Sequence, residues 1–572
     1  MTESAPHAAA PFSLLLVSDF NVGSLVGLLN NAPSSRPLQA RAAPFGQAIP
    51  TLLQLAQSAQ PQHDALLAWS RAEAISPAYA ALLAGDPGAL ADLDADVEAF
   101  AARLLAARAG ASAILVPTWT RPWSERGLGL MDMSAPDGAG AALLRMNARL
   151  LERLSGERGV YLLDAARWQA AVGPDAINPR QWYLTKSPFA NPLFKLAAQE
   201  IANALQALME TPRKLVVVDL DNTLWGGIVG EVGPLNVTLG GHSPVGEAFV
   251  DFQRGLLALR RRGALLAICS KNQESVALEA IANHPEMALR PDDFSAWRIN
   301  WEDKAANIAD IAAELNLGLQ SVVFLDDSRG ERERVRAALP EVLVPDLPES
   351  PMLYRRLLDG LHCFDSAQMT AEDRQRSQMY ETERQRQAGR AQVGDLSAWL
   401  ASLEMVVEVA PLNPDNLPRA AQLLNKTNQM NLRTRRMSEA ELSAWAAQPQ
   451  CAMWVFRVAD KFGDLGVVAL LGVEIEGDTA QVSDFVVSCR AFQRGLEETM
   501  LAYALEQLRG RSGATSAVAQ CRAEFLPTAK NAPCLEFWTK RSSFAQETER
   551  CFTYSLSASL PIPAHVRCRE SG

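Results

Sequence analysis

Short apolar runs alternate with helical text across the first 365 residues, and that alternation is the feature that most narrows the folds open to this chain. The runs "FSLLLVSDF" (12–20), "ASAILVP" (111–117) and "GVYLLDAA" (159–166) are separated by the helical stretches 96–110 and 141–157, and a further helix spans 192–210. The same alternation returns with the strands 214–220, 264–270, 321–327 and 342–348, with helices at 246–263 and 304–318 between them. Apolar strands alternating with helices predict parallel sheets covered by helices on their faces. Residues 370–392 read as a charged helix with few apolar positions, a solvated linker. From 396 to 560 the order changes to strands at 405–410, 452–460, 466–477 and 480–488 with helices at 416–428 and 497–510, a mixed α+β domain.

With 572 residues the chain is too long for one core, and a prior of about 150 residues per domain implies several. The net charge of −11 and the lack of a long basic run argue against non-specific nucleic-acid binding. Eight cysteines are scattered with no C-x-x-C pair, which argues against a zinc ribbon or a disulfide framework and fits a reducing cytoplasm. The N-terminus lacks a basic n-region, so its apolar run reads as a first strand rather than a signal peptide. Nothing approaches the roughly 20 apolar residues of a membrane span.

The chemistry stands at the strand ends. "VVVDLDNTLWGG" (216–227) drives four apolar residues into Asp219 and Asp221. Residues two apart on an extended backbone point to the same side, and two close carboxylates need a cation or a shared proton. Mg²⁺ suits that need, since it takes oxygen ligands and tolerates phosphate. One carboxylate would attack phosphorus and the other would act as acid/base. The next strand ends in Ser270, Lys271 and Asn272, and a third ends in Asp326 and Asp327. Lys304 opens a helix, where the dipole disfavours a cation, so a phosphate clamp explains it better than helix design.

This ordered set resembles the haloacid dehalogenase (HAD) superfamily. The resemblance implies Asp219 as nucleophile, Asp221 as acid/base, and Ser270 and Lys304 as holders of the phosphoryl group. Thr223, Lys271 and Asn272 join them as expected phosphate contacts. Mg²⁺ would sit on the Asp219 carboxylate, the Asp221 backbone carbonyl and an acid of the 326–327 pair, with Asp327 favoured over Asp326.

The wording "DLDNTLWGGIVGEVG", "ICSKN", "NWEDKAANI" and "FLDDSRGERERV", with "NKTNQMNLRTRR", "DKFGDLGVV", "SCRAFQRGLEE" and "LPTAKNAPCLEFW" further on, is similar to the FkbH-like branch over roughly 210–545. Membership implies a glyceryl transferase/phosphatase. Such proteins take glyceryl from 1,3-bisphosphoglycerate, remove phosphate, and load a phosphopantetheinylated acyl carrier protein for polyketide extender units. The acyl group would pass through Cys269, through Cys489, or straight to the carrier thiol. A plain phosphatase of a small metabolite and a non-catalytic carrier-docking scaffold are the competing readings. The segment 228–245 is too short to cap a small substrate, and an open site suits a large partner.

In the last domain "SCRAFQRGLEETML" resembles the acyl-CoA turn of GNAT acetyltransferases, which makes Arg490, Arg494 and Gly495 the expected contacts of a pantetheine arm. The basic stretch with Arg433, Arg435 and Arg436 either meets an acidic carrier or is a capped helix end with a solvated loop. The N-terminal domain resembles SGNH hydrolases, with Ser18 at a strand end and Asp175-x-x-Asn178 late in the domain, but no histidine stands where a base is needed. Without a base Ser18 has no activation, so a catalytically dead docking shell is expected. The chain is thus expected to be an α/β multidomain protein. It would comprise a degenerate SGNH-like domain (1–208), a Rossmann-like HAD domain with a parallel sheet (213–365), a charged linker helix (366–395) and a GNAT-like α+β domain (396–560).

Overall fold

The computed structural model describes residues 10–34, 36–122, 126–367, 396–427, 429–488, 491–509, 517–528 and 530–570. The charged helix expected over 366–395 falls almost wholly outside them. The chain divides into two compact units, 1–212 with 361–369, and 213–360 with 370–572.

The first unit is a five-stranded, all-parallel sheet in the order β2-β1-β3-β4-β5. Its strands are β1 (Phe12–Ser18), β2 (Leu38–Ala42), β3 (His63–Trp69), β4 (Ala111–Pro117) and β5 (Val160–Leu163). Alternation along β1 sends Leu14 and Leu16 into one core and Val17 into another, one on each face of the sheet. Helices α1 (Gly23–Asn30), α2 (Ala48–Ala56), α3 (Leu93–Ala107), α4 (Ala139–Leu154) and α5 (Asn191–Met209) supply the rest of those cores. The central strand β3, "HDALLAW", has too little alternation to stand out in the sequence. Only neighbours on both sides make it a strand.

The second unit opens with a four-stranded parallel sheet in the order β8-β7-β6-β9. It comprises β6 (Leu215–Val218), β7 (Leu265–Ser270), β8 (Ala296–Ile299) and β9 (Val322–Leu325), each of β6, β7 and β9 fully buried. Such continuous burial is what a parallel sheet covered on both faces requires. Helices α6 (Pro244–Arg261), α7 (Glu274–Asn283), α8 (Lys304–Glu314) and α9 (Arg329–Ala338) accompany it. The stretch 342–348 is not a strand. It touches the sheet through one bridge, Val323 to Leu343.

The remaining residues form a nine-stranded, mostly antiparallel sheet. Its long members are β10 (Met405–Pro411), β12 (Cys451–Asp460), β13 (Gly463–Glu476) and β14 (Thr479–Val487), and the two-residue β11 (Met430–Asn431) pairs with β14 off the main order. The helix α10 (Leu496–Arg509) packs its apolar face into the core built on them. The domain does not stop at 560, because the strand Val566–Glu570 pairs in parallel with β10. Among the described residues no helix is long and apolar enough to cross a membrane.

Candidate active site

Because the four strands β6 to β9 run parallel, their carboxyl ends gather on one edge, the usual ligand-binding edge of such sheets. Asp219 follows β6, Ser270 ends β7, Asn300 follows β8 and Asp326 follows β9. One carboxylate oxygen from each of Asp219, Asp326 and Asp327 lies within 4.8 Å of the others. Lys304, the first residue of α8, is 3 % exposed and reaches Asp219 Oδ2 at 3.0 Å and Asp326 Oδ2 at 2.6 Å. Asp303 caps this helix by accepting from the Ala305 N–H, which fixes where the lysine starts.

Three buried or half-buried carboxylates share a single ammonium, and the Arg332 guanidinium beside them donates to the backbone carbonyls of Asp326 and Asp327 rather than to a carboxylate of the trio, so the acids are not paired one to one with cations. Burial raises Asp219 to about 6, and Asp326 adds to the rise while Lys304 and the Ser270 hydroxyl oppose it. Burial also raises Asp326 and Asp327. For Lys304 burial alone would lower the ammonium, but Asp219 and Asp326 outweigh it and hold it raised. Asp219 Oδ1 is buried with no hydrogen-bond partner. A divalent cation answers both facts, since it supplies the missing charge and a ligand for the orphaned oxygen. Asp326 is already spent on Lys304 and on the Ser328 N–H at 2.8 Å. Asp327 takes a bond from Thr223 Oγ1 to its Oδ1 at 3.1 Å.

Asp221 sits outside that cluster. Its Oδ1 accepts from Trp225 Nε1 at 2.8 Å and from the Val229 N–H at 3.0 Å, and its Oδ2 accepts from Asn272 Nδ2 at 3.0 Å. Asn222 adopts a left-handed φ of 54° just after it, which folds the chain back so that Trp225 can reach. Asparagine tolerates that region better than most residues.

Several expected roles change. Cys269 is fully buried, and its side chain joins the core of Leu265 and Ala267 against α8, two and four positions along the same face. Its thiol donates to the Lys304 carbonyl at 3.7 Å, and burial pushes it up to about 12. That place does not suit a thiolate nucleophile. Thr223 is fully buried and orients Asp327, donating to its carboxylate and accepting from its N–H, rather than facing a phosphate. Asn272 is spent on Asp221 and on Ser270 Oγ. Lys271 pairs with Glu331 at 2.6 Å near the surface. Sequence reasoning missed Arg332, which is 7 % exposed and donates to the carbonyls of Asp326 and Asp327 at 2.8 and 2.7 Å. It also missed Trp225. The spacing of four from Asp221 was its only sequence signal.

Of the turn expected to hold a pantetheine arm, Arg490 and the runner-up Cys489 lie outside the described residues. Arg494 is 6 % exposed, with Asp460 at 4.0 Å, so its guanidinium does not face solvent. Gly495 takes a φ of +84°, and a Cβ there would meet His565 Nε2 at 2.8 Å. Glu497 accepts from the Gln493 N–H at 2.8 Å, so the chain's own carboxyl takes up an amide of that turn. Arg435 pairs with the buried Asp484 and lies over the Trp445 ring, and Arg433 pairs with Glu524. Arg436 donates to the Leu424 carbonyl at 2.6 Å. In the first unit Ser18 Oγ accepts from the Phe20 N–H, and His63 meets Ser13 instead of Ser18. Asn178 caps a short helix.

A parallel sheet that ends in a trio of acids around a buried lysine is the arrangement of a phosphoryl-transfer enzyme. The chain is similar to the N-terminal part of the protein BF1531 from Bacteroides fragilis, whose structure contains a phosphatase domain complexed with Mg. Identity is 25% and the TM-score 0.56, over 63% of this chain and 96% of that one. Part of the chain also matches the ribosomal-protein-S18-alanine N-acetyltransferase from Escherichia coli at 14% identity and a TM-score of 0.19, over 27% of this chain and 96% of that one. No protein-family model and no curated protein matches the chain.

Proposed function

We propose that residues 213–360 form a Mg²⁺-dependent phosphatase-type site that releases phosphate through an aspartyl-phosphate. The observation that carries this is Asp219 Oδ1, buried and without a donor, among carboxylates whose charge one lysine cannot balance. Asp219 attacks phosphorus as the bond to the leaving oxygen breaks, and Asp221 gives that oxygen a proton. Water then cleaves the aspartyl-phosphate, with Asp221 taking a proton back. Lys304 and Ser270 hold phosphoryl oxygens. Asp219, the Asp221 carbonyl and Asp327 would hold the ion, which would supply charge neutralisation on phosphate. The Mg-complexed phosphatase domain of the Bacteroides relative supports the choice of metal.

At the finer level the substrate is 1,3-bisphosphoglycerate and the acceptor is a phosphopantetheinylated acyl carrier protein, within polyketide extender biosynthesis. The ester phosphate is the one suited to Asp219. The acyl phosphate is displaced when the carrier thiolate attacks the carbonyl carbon and the bond to phosphate breaks. The burial of Cys269 favours this direct transfer over a thioester on that residue. The shared motif wording and the short segment between Gly226 and Gly241 support a large partner. Intact-protein mass spectrometry tests it. A glyceryl-sized gain on the carrier, absent with Asp219→Asn, is expected. Phosphate release without any gain on the carrier would leave a plain phosphatase.

A further inference from the structure

The first unit carries a cavity of its own at the carboxyl edge of its sheet, the edge where parallel sheets hold ligands. Its volume is about 140 Å³. Arg71 and Glu73 reach it from the chain after β3, Arg121 from the chain after β4, and Ile177, Trp182 and Phe189 from the stretch before α5. Each wall is held in place. The Arg71 N–H donates to Asp19 Oδ1 at 2.8 Å and its Nε to Asp19 Oδ2 at 2.7 Å. The same guanidinium lies over the Trp182 ring, 4.2 Å from its centroid. Phe189 stacks on the buried Trp69, with ring centroids 5.1 Å apart. The Trp119 N–H and carbonyl both bond the Asn147 side chain at 2.9 Å, which pins the chain two residues before Arg121.

Arg121 is the residue that this arrangement leaves incomplete. Its Nη2 lies 2.6 Å from the buried Asp132, which also accepts from the Leu128 and Gly140 N–H groups. Its Nε is buried, and no described residue accepts from it. A buried donor without an acceptor is costly, and a ligand oxygen removes that cost. A guanidinium binds a carboxylate more strongly than a neutral oxygen, because the hydrogen bonds are charge-assisted. Glu73 is the acid on the wall, and it meets Arg71 Nη1 at 3.0 Å. Burial raises its carboxyl although Arg71 opposes the rise, so Glu73 resists a full charge and stands less firmly against a second anion. Ile177, Trp182 and Phe189 suit a flat apolar body. The volume is close to that of an apolar cavity of about 150 Å³ that takes benzene, so that body is no larger than one ring.

We infer that this cavity binds a small carboxylate with a flat apolar body, its carboxylate on Arg121 beside Arg71 and its body against Trp182 and Phe189. The site lies wholly within the first unit and does not depend on the phosphatase reading. The test is a saturation-transfer NMR titration of the full chain with benzoate as the probe. Benzoate is expected to bind the wild type, and benzamide, the same ring without the charge, to bind about tenfold more weakly. Arg121→Lys keeps a cation for Asp132 and loses the Nε donor, and Trp182→Leu keeps an apolar wall and loses its flat face. Each is expected to weaken benzoate about tenfold while retaining a cooperative melt. No binding of benzoate by the wild type, equal binding of benzoate and benzamide, or benzoate affinity unchanged in both variants would overturn the inference. Where a variant fails to fold, the comparison of benzoate with benzamide on the wild type decides alone.

Discussion

A buried carboxylate oxygen with no donor is costly unless a cation completes it, and Asp219 Oδ1 is such an oxygen. Asp219→Asn keeps the shape and removes the nucleophile. A loss of phosphate release of at least about a thousandfold is expected, with circular dichroism unchanged, and residual turnover near wild type would exclude Asp219 as the nucleophile. Cys269→Ala is expected to leave both phosphate release and carrier loading in place. Its cost is to stability, about 1–2 kcal/mol from the small cavity left in the core, read by urea unfolding. Lys304→Met removes the one cation from two buried acids and is expected to cost about 3–5 kcal/mol as well as activity. A melt of the variant at low ionic strength shows whether the pair matters that much.

Elements place these groups by their ends. β6, β7 and β9 stop where the chemistry begins, and α8 begins with the lysine that the acids need. At α10 the turn is occupied from within, since Glu497 is fully buried and accepts from the Gln493 N–H. Burial raises its carboxyl from 4.5 to about 7. The folded protein therefore keeps this proton where the unfolded chain has lost it. Its stability is unpenalised below pH 4.5, falls as the pH rises from 4.5 to 7, and carries the full penalty above 7. At about 1.4 kcal/mol per pH unit the rise is worth on the order of 3 kcal/mol. Glu497→Gln keeps the accepting oxygen and is expected to flatten that slope, so it should be more stable than wild type at pH 8 and no more stable at pH 4. If chemical unfolding gave wild type and variant the same change in unfolding free energy between pH 4 and pH 8, the assignment would be contradicted.

At the scale of the molecule, separate cores predict separate transitions. Mg²⁺ binds only the folded site, so calorimetry should show the transition of the unit that contains 213–360 rising with the ion while that of the first unit stays. At a free concentration about 100 times Kd the gain is about 2.7 kcal/mol, and EDTA should reverse it together with phosphate release. Much of this organisation was legible in the sequence. Continuous apolar runs such as Leu215–Val218 announce buried parallel strands, and an acid or hydroxyl directly after the run must stand at a strand's carboxyl end. That reasoning reaches Asp219, Ser270 and the 326–327 pair without any coordinates. It stops where a role depends on which distant side chain comes close. Lys271 and Lys304 look alike on paper, yet one meets Glu331 at the surface and the other meets Asp219 and Asp326 in the interior. Thr223 and Asn272 stand beside motif residues and turn to other acids, and Arg332 enters the site with no motif to mark it. Cys269 precedes Ser270 by one residue, and strand alternation sends it to the opposite face, into the core. Local pattern and period are properties of neighbours in the chain, so the sequence alone determined the strands with a continuous apolar run and the residues at their ends, while β2, β3 and β8 emerged only in the sheet. Partnership is set by through-space distance between segments far apart in the chain, so only the tertiary structure decided which of those residues act together.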